Sequence, residues 1–361
     1  MFEELLKGPQ RVVAVGDIMV APSTMTEAVR GSKVDVGDVT ELSWVPKDTD
    51  EFAERQLNIE HNGPEAEPYA DGLDEAIADA DVLITHFSPV PASLIAQAPN
   101  LKLIATCRGG MEHIDVDAAT KQGIPVVNVI RNAVPVAEFA VGLIIAATRD
   151  IAISHHSLMQ GVWEKRFSNS DIVTTLDQLT CGLVGVGNVG IELAWRLRAL
   201  GMKVIAWDPW ADRSRLEKAG LGDMELVDDL DVLLKGADVV SLHLRLTEQN
   251  AGMADASFFA KMKPTSYFIN TARGGLVDYD DLAKALSDKT IAGAALDVFD
   301  SEPLSPSSPL LGLDNVTMTP HIAGQTVDAI PRSPFMLFDA VDHIIDTGDV
   351  TRIVNAKALG L

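Results

Sequence analysis

Residues 183–190 read Leu-Val-Gly-Val-Gly-Asn-Val-Gly. An apolar run passes directly into the pattern GxGxxG, formed by Gly185, Gly187 and Gly190, and a helix-length amphipathic segment follows to Leu200. In a strand–turn–helix unit these glycines permit a tight turn, close approach of the backbone to a pyrophosphate, and close packing of helix on strand. The helix N-terminus adds free N–H groups that attract phosphate. The pattern alone also fits an ordinary glycine-rich turn, so its surroundings decide.

The next predicted strand ends in an acidic residue. Asp208 follows the apolar run 204–207, about 20 positions after the glycines, where the ribose hydroxyls of NAD are bound in dinucleotide folds. A carboxylate there repels a 2′-phosphate, which favours NAD over NADP. Arg213 and Arg215 lie close by in the sequence and keep NADP open as an alternative.

Short apolar runs alternate with helix-length amphipathic stretches through most of the chain, which is typical of parallel α/β architecture. Strands are predicted over residues 11–17, 81–87, 101–107, 124–129, 180–186, 203–208, 237–244, 265–270, 291–299 and 316–320. Helices are predicted over residues 73–80, 91–98, 116–122, 188–200 and 334–346, with a helix and an exposed loop within 46–70. Residues 136–149 form a long apolar helix typical of a buried position. Residues 154–178 are polar and predicted to be irregular.

The composition limits the class of protein. A chain of 361 residues suggests about two domains, and 29 basic against 52 acidic residues give a net charge of −23, which argues against a nucleic-acid surface. Cys107 and Cys181 lie far apart without metal-ligand or disulfide spacing, and no metal is assigned. The acidic N-terminus does not resemble a signal peptide, and the most apolar stretch carries charged residues. We therefore expect a cytoplasmic protein that binds neither nucleic acid nor membrane.

Three later segments carry polar residues at predicted strand ends, where open α/β sheets bind ligands. They read Asn-Thr-Ala-Arg-Gly-Gly-Leu-Val-Asp over residues 270–278, Ala-Leu-Asp-Val-Phe-Asp-Ser-Glu-Pro-Leu over 295–304, and Thr-Pro-His-Ile-Ala-Gly over 319–324. Taken singly, an arginine, a glutamate or a histidine in such a place is usually a surface or turn residue. Their combination, in this order after the glycine pattern, is specific.

In these ordered motifs the sequence resembles the D-isomer-specific 2-hydroxyacid dehydrogenase family, which includes D-3-phosphoglycerate dehydrogenases and glyoxylate/hydroxypyruvate reductases. The resemblance covers most of the chain from residue 101 onward. It implies two Rossmann-like α/β domains with doubly wound parallel sheets. An NAD-binding domain over residues 132–324 would be inserted into a discontinuous, flavodoxin-like substrate domain over 1–131 and 325–361. Helices over residues 136–151 and near 325–337 would form the hinge.

The resemblance also implies an activity, that of an oxidoreductase acting on the CH–OH group of donors (EC 1.1.1.-). Arg273 would bind the carboxylate and carbonyl of a D-2-hydroxy acid or 2-keto acid, since a guanidinium gives rigid two-pronged recognition. His321 would exchange the proton with the substrate oxygen. Glu302 would fix its tautomer and favour its protonated form. NAD carries the hydride, and a homodimer is implied.

Further residues follow from the same resemblance. Cofactor contacts are expected from Gly185, Gly187, Asn188, Val189, Gly190, Asp208, Thr271, Ala272, Asp297 and Gly324. Substrate contacts are expected from Ser88, Arg108, Gly109, Gly110 and Arg273. His243 either lines the cofactor pocket or has a packing role.

The substrate loop departs from the family pattern at Arg108, where most members have glycine. Arg108 either binds a second carboxylate, a phosphate or a polyhydroxylated acid, or it pairs with Glu112 or Asp115. The particular acid, the direction of reaction and the oligomeric state beyond this expectation remain open. An NAD(H)-sensing binding protein with little turnover, similar to the C-terminal-binding corepressors, is the alternative function.

Overall fold

The computed structural model describes residues 2–361, with the backbone alone for Glu3. The chain folds into two compact units, the first formed by the residues up to Arg131 together with Thr326–Leu361, the second by Asn132–Gln325. Gln325 therefore falls in the second unit, one residue beyond the boundary placed from the sequence.

The N-terminal part of the first unit alternates strands and helices. Its elements are α1 (Phe2–Leu5), β1 (Gln10–Gly16), α2 (Pro22–Arg30), β2 (Val36–Ser43), α3 (Thr49–Asn62), α4 (Leu73–Ile77), β3 (Val82–Thr85), α5 (Ala92–Ile95), β4 (Leu103–Thr106), α6 (Val116–Lys121) and β5 (Val126–Asn128). The strands form one sheet in the order β2-β1-β3-β4-β5, and every pairing is parallel. Strands β3, β4 and β5 are buried throughout, as expected of strands covered on both faces.

The second unit repeats this architecture around a larger sheet. Its elements are α7 (Ala133–Thr148), α8 (Ile151–Met159), β6 (Thr180–Val184), α9 (Asn188–Ala199), β7 (Lys203–Trp207), α10 (Arg213–Lys218), β8 (Glu225–Leu226), α11 (Leu230–Gly236), β9 (Val239–Leu242), α12 (Ala256–Lys261), β10 (Tyr267–Asn270), α13 (Tyr279–Ser287), β11 (Gly293–Leu296) and β12 (Val316–Met318). The strand order is β12-β11-β10-β9-β6-β7-β8, again parallel throughout. The chain order reverses beside β6, and such a switch point is where doubly wound sheets bind nucleotides.

Two helices complete the first unit, α14 (Ser333–Thr347) and α15 (Ala356–Leu359). Helix α14 ends at Gly348, which adopts a left-handed conformation with φ of 69°. Asn355 ties the C-terminal segment to the sheet, because its side chain accepts from the Val126 amide at 2.9 Å and donates to the Ile124 carbonyl at 2.9 Å.

The predicted fold class, two doubly wound parallel α/β domains, is confirmed, but several local predictions are wrong. Strand β2 and helix α2 were not predicted, and neither were the short helices α10 to α13 between the later strands. Strand β2 is a largely exposed edge strand without a clear apolar pattern. Residues 151–159 are helical although 154–178 were expected to be irregular; α8 buries no residue, so it leaves no apolar stripe to detect. The apolar helix predicted over residues 136–149 is present as α7, but the hinge helix expected over 136–151 ends at Thr148, since Asp150 turns the backbone to a φ of 54°.

The second expected hinge helix is also shorter than predicted. Residues 327–332 form turns, and α14 begins only at Ser333, with Pro334 in its first turn. Proline suits the first turn of a helix, where its missing N–H costs no hydrogen bond. Pro331 just upstream disfavours helical backbone in the residue before it.

Candidate active site

The glycine loop joins β6 to α9 and is shaped by close backbone contacts. Gly185 has a φ of 98°, and a Cβ atom there would lie 2.8 Å from the His243 carbonyl oxygen. A Cβ at Gly190 would lie 2.4 Å from the Gly185 oxygen, whereas Gly187 faces open space with no atom within 4 Å. Two glycines are therefore required by packing, and the third leaves the loop open to an approaching group. The first-turn amides of α9, including those of Asn188 and Val189, have no partner within the helix.

Asp208 lies at the end of β7 and braces this loop. Its Oδ2 accepts from the Val186 amide at 2.9 Å, and its Oδ1 accepts from the Trp210 amide at 2.9 Å. Arg215 donates to the Asn188 side-chain oxygen at 3.0 Å, so it is engaged with the glycine loop, while Arg213 is exposed. The sequence-predicted residues of this region are thus brought together.

His243 follows β9 and packs behind the glycine loop. Its Nε2 lies 2.9 Å from the Ser241 hydroxyl, and burial lowers the pKa of the imidazole to about 4. A ring that is neutral and already hydrogen-bonded has a packing role here, in line with one of the two interpretations left open by the sequence.

The loop after β10 is held by Asn270. Its side chain accepts from the Ala272 amide at 3.0 Å and donates to the Arg273 carbonyl at 3.0 Å. The hydroxyl of Thr271 is buried without a hydrogen-bond partner among the described residues. A buried hydroxyl of this kind is uncommon in native structures and indicates that a ligand or water completes it.

Asp297 braces the segment that carries the histidine. It is fully buried, and its Oδ1 accepts from the Thr319 hydroxyl at 2.6 Å and from the Ile322 amide at 3.0 Å. Its Oδ2 accepts from the Ala323 amide at 2.8 Å. Three of its acceptor positions are therefore filled from within the chain, and its contact with cofactor stays a prediction.

His321 and Glu302 form a hydrogen-bonded pair. His321 Nδ1 lies 2.6 Å from Glu302 Oε2, and the other oxygen of Glu302 accepts from the Phe299 amide at 3.0 Å. His321 adopts a φ of 54°, a left-handed conformation that non-glycine residues rarely take and that surrounding contacts must hold. The histidine side chain is 50% exposed and the glutamate 37%. Nδ1 is held by the carboxylate, and Nε2 has no hydrogen-bond partner among the described residues.

Arg273 extends from the neighbouring strand end and is exposed. Its Nη1 donates to the Ala272 carbonyl at 2.7 Å, and no carboxylate of the described residues pairs with it. The next residue, Gly274, is in close contact with the loop that leads to Glu302, because a Cβ there would lie 1.8 Å from the Phe299 oxygen. The loops that carry the arginine and the glutamate are therefore packed directly against each other.

In the first unit, Arg108 follows β4 and is almost fully buried. Its Nη2 donates to Glu60 at 3.0 Å and lies 3.9 Å from Glu112, and its guanidinium lies 3.5 Å from the centre of the Phe87 ring. The main partner, Glu60, was not predicted. Asp115 does not pair with Arg108, because its carboxylate caps α6 through the Ala118 amide.

The other predicted substrate residues differ in accessibility. Ser88 is buried, and its hydroxyl accepts from the Ala70 amide at 3.1 Å, which ties the loop after β3 to the segment before α4. Gly109 and Gly110 follow Arg108, and within the described residues their amides donate to no other group. The amides remain available to a ligand, and the role of Ser88 as a substrate donor stays a prediction.

Sequence reasoning missed a buried polar group in the same unit. Asp17 and His86 are hydrogen-bonded at 2.7 Å with both side chains fully buried, and His113 and Arg131 lie in the same cluster. Asp17, His86 and Arg131 each come shortly after a strand, which is the signal that could have drawn attention to them.

Three predictions of absence concern the described residues: a metal site, a disulfide and a membrane span. Residues 2–361 contain no group of three or more histidine, cysteine or acidic side chains arranged to hold a metal ion. Neither cysteine is exposed, and burial raises the pKa of Cys107 to about 12. Among the helices described, none is long and apolar enough to cross a membrane.

The residues fit a dinucleotide. The open backbone at Gly187, the free first-turn amides of α9, the carboxylate at the end of β7 and the unpartnered hydroxyl of Thr271 all lie in the second unit, around the switch point of its sheet. This fold and this set of groups are those of a dinucleotide-dependent oxidoreductase.

Comparison with known proteins defines the family. Residues 141–323 match the sequence model of the D-isomer specific 2-hydroxyacid dehydrogenase, NAD binding domain. The chain belongs to the D-isomer specific 2-hydroxyacid dehydrogenase family, whose members are NAD-dependent oxidoreductases that act on small 2-hydroxy and 2-keto acids. This finding favours the enzyme over the binding protein that the sequence left as the alternative.

Individual relatives differ in length. The chain is 40% identical over 280 residues to a glyoxylate reductase of Thermofilum pendens, covering 76% of this chain and 81% of that protein. It is 41% identical over 250 residues to a D-3-phosphoglycerate dehydrogenase of Archaeoglobus fulgidus, covering 69% of this chain but only 46% of that protein. Among solved structures, the TT0316 protein of Thermus thermophilus superposes with a TM-score of 0.66 at 27% identity, covering 94% of this chain and 97% of that one.

Proposed function

We propose that the protein interconverts a D-2-hydroxy acid and its 2-keto acid with NAD(H). The observation that carries the proposal is the His321–Glu302 pair at 2.6 Å, on strand ends adjacent to the exposed guanidinium of Arg273. An imidazole fixed through one nitrogen and free of a hydrogen bond at the other can exchange a proton with a substrate oxygen. The relatives named glyoxylate reductase and D-3-phosphoglycerate dehydrogenase support the same substrate class.

Each of the three side chains has a separate task in this proposal. Arg273 binds the substrate carboxylate and the carbonyl oxygen, because its guanidinium is always charged and offers a rigid fork of donors. His321 donates a proton from Nε2 to that oxygen during reduction and takes it back during oxidation. Glu302 positions the ring and stabilises the imidazolium through Nδ1–H.

NAD would be held by the residues of the second unit described above: Gly185, Gly187, Asn188, Val189, Gly190, Asp208, Thr271, Ala272, Asp297 and Gly324. The bound nicotinamide supplies the hydride acceptor or donor. The carboxylate of Asp208, fixed by two backbone amides, gives a reason for NAD rather than NADP, since a 2′-phosphate would meet a negative charge.

The experiment is NADH oxidation with a panel of keto acids, including glyoxylate, pyruvate and hydroxypyruvate. We expect His321→Ala and Arg273→Ala each to lower kcat/KM by a factor of about 10² to 10⁴ while NADH binding, measured by fluorescence, is retained. His156→Ala and Arg166→Ala change exposed residues of the same unit and serve as matched controls with activity near the wild-type level. Full activity of His321→Ala would refute the proton-transfer role. Tight NADH binding without turnover of any keto acid would refute the enzyme proposal.

Two expectations from the family remain predictions. The homodimer can be measured by light scattering of the purified protein, and a monomer at all concentrations would contradict it. The cytoplasmic location can be measured by cell fractionation.

A further inference from the structure

Two adjoining cavities lie at the amino edge of the second sheet, opposite the edge that carries the glycine loop. The larger cavity, of about 160 Å³, is lined by residues that precede strands β10 to β12, among them Thr265, Ala292 and Asn315. The smaller cavity, of about 20 Å³, lies at the C-terminal end of α7 and has room for one water-sized group. Asn169 and Asn315 line both cavities, so the two adjoin. We call them the amino-edge cavities.

Two residues that line these cavities hold a costly backbone conformation. Within residues 2–361, a left-handed φ occurs in only three non-glycine residues: His321, Asp150 at 54° and Lys289 at 57°. Asp150 lines the smaller cavity and Lys289 the larger one. Glycine adopts this conformation without steric cost, and strained residues tend to occur at functional sites. The presence of Asp150 and Lys289 instead of glycine points to a role for their side chains.

The smaller cavity is electronegative. Asp150 and Asp314 line it, and among the described residues no basic side chain pairs with either carboxylate. Burial raises the pKa of Asp150, with a further contribution from the negative charge of Asp314. Ala146 and Ala147, near the C-terminus of α7, also line the cavity, and the carbonyl groups at a helix C-terminus carry partial negative charge. All of these groups favour a cation.

The hydroxyl of Tyr267 is an independent sign of a ligand in the same place. The residue is 4% exposed, and its hydroxyl has no hydrogen-bond partner in the described part of the chain. The ring lies over Gly293, where a Cβ atom would come within 3.2 Å of it. Burial raises the pKa of the phenol to about 12, with a contribution from Asp150, so the hydroxyl lies near the carboxylate that lines the smaller cavity. Native proteins rarely leave such a hydroxyl unpaired, which indicates that a polar ligand completes it.

The larger cavity contributes the opposite charge. Lys289 is exposed, and its ammonium group forms no ion pair or hydrogen bond with another described residue. Asp171 lines the same cavity, but its carboxylate pairs with Arg166 at 2.7 Å. Lys289 is therefore available to an anion. The smaller cavity thus offers negative charge, and the larger cavity offers positive charge.

We propose that the amino-edge cavities bind a small zwitterion, in which a few carbon atoms join an ammonium group to a carboxylate. The ammonium occupies the smaller cavity, where Asp150, Asp314 and the Tyr267 hydroxyl accept from it. The carboxylate lies in the larger cavity and pairs with Lys289, because oppositely charged groups form the strongest hydrogen bonds. The site lies at the opposite edge of the sheet from the glycine loop, so its test does not depend on the proposed function.

The test measures binding of three zwitterions to the full chain: glycine, β-alanine and 4-aminobutyrate. Ethylamine and propionate, which carry only one of the two charges, are tested in parallel. Titration calorimetry and the rise in melting temperature report binding. We expect at least one zwitterion to bind about tenfold or more tightly than ethylamine or propionate, because only the zwitterion pairs with both ends of the site. Failure of all three zwitterions to bind, or equally tight binding of the singly charged compounds, would overturn the proposal.

Three variants separate a role in binding from a role in folding. Asp150→Asn removes the charge but keeps a residue that tolerates left-handed backbone, and Tyr267→Phe removes only the hydroxyl. Lys289→Gly removes the ammonium together with the backbone strain, so the melting temperature of the ligand-free protein should stay the same or rise. We expect Asp150→Asn and Lys289→Gly each to weaken zwitterion binding by about tenfold or more, and Tyr267→Phe by about three- to tenfold.

Asp228→Asn changes an exposed aspartate of the same unit and is the matched control for Asp150→Asn. It should bind the zwitterion with wild-type affinity. Weaker binding in Lys289→Gly without a lower melting temperature would place the lysine in the site, since a merely structural residue would not show this combination. Wild-type affinity in both Asp150→Asn and Lys289→Gly, or an equal loss in Asp228→Asn, would overturn the site.

Discussion

The catalytic histidine proposed here depends on a single contact with its carboxylate partner. Replacing Glu302 with Gln keeps an oxygen near His321 Nδ1 but removes the negative charge that stabilises the imidazolium. We expect Glu302→Gln to lower kcat/KM for keto-acid reduction by about 10- to 100-fold at neutral pH. The measurement is kcat/KM for reduction and for oxidation, with NADH binding as a check that the fold is intact. Glu248→Gln, an exposed change in the same unit, is the control, and wild-type kcat/KM in Glu302→Gln would remove Glu302 from the mechanism.

At the same scale, the sequence located Arg273, Glu302 and His321 because each falls within a specific motif. It could not specify the partner of Arg108, since Glu60 lies 48 positions away on α3 and no local spacing joins them. The two partners that the sequence suggested for Arg108, Glu112 and Asp115, lie within a few residues of it in the chain. Asp17 and His86 escaped notice for the same reason, because the distance between them in sequence hides a contact of 2.7 Å.

At the scale of elements, Gly274 holds two loops together. A Cβ at this position would lie 1.8 Å from the Phe299 oxygen, which is backbone and cannot turn aside. We expect Gly274→Ala to destabilise the protein by about 1–3 kcal/mol and to lower activity, because the loops carrying Arg273 and Glu302 must separate. Thermal denaturation and kcat/KM measure the two effects. Gly142→Ala within α7 meets no atom within 4 Å and should instead be neutral or stabilising by up to about 1 kcal/mol. Equal behaviour of the two variants would contradict this account.

The elements that sequence periodicity identified are those whose faces are buried on both sides, such as β3, β4 and β10. Two of the missed elements bury little: β2 is an exposed edge strand, and α8 has no buried residue. Low burial does not explain the other omissions, since α2 buries three residues and α13 buries five. The periodic spacing of apolar residues reflects which face of an element is buried. An element that buries few residues therefore shows only a weak apolar pattern, even when its backbone is regular. The same limit explains why the interruption at Asp150 was not predicted within a continuous apolar stretch.

At the scale of the whole molecule, the composition gives a net charge of −23, which argues against a nucleic-acid-binding surface. It could not show that positive and neutral ionisable groups are buried at the carboxyl edges of the sheets. His86 and His113 lie in the first unit and His243 in the second, and burial lowers the pKa of all three. Their shared environment has a consequence for stability that the chain's net charge does not reveal.

Each of these histidines is neutral in the folded chain but gains a proton on unfolding below a pH of about 6.5, its usual pKa. The contribution of these neutral histidines to the free energy of unfolding is therefore fully present above that pH. It is lost as the pH falls toward the folded-state pKa values, which for His243 is about 4. For His243 we expect the free energy of unfolding to fall by about 1.4 kcal/mol per pH unit in this window, and by about 3 kcal/mol in total; His86 and His113 act in the same direction. Urea denaturation between neutral pH and the lower end of the window measures the slope. His243→Gln should reduce it by about 1.4 kcal/mol per pH unit, whereas His61→Gln, an exposed change on α3, should not. A slope unchanged in His243→Gln would mean that this ring is already protonated in the folded protein.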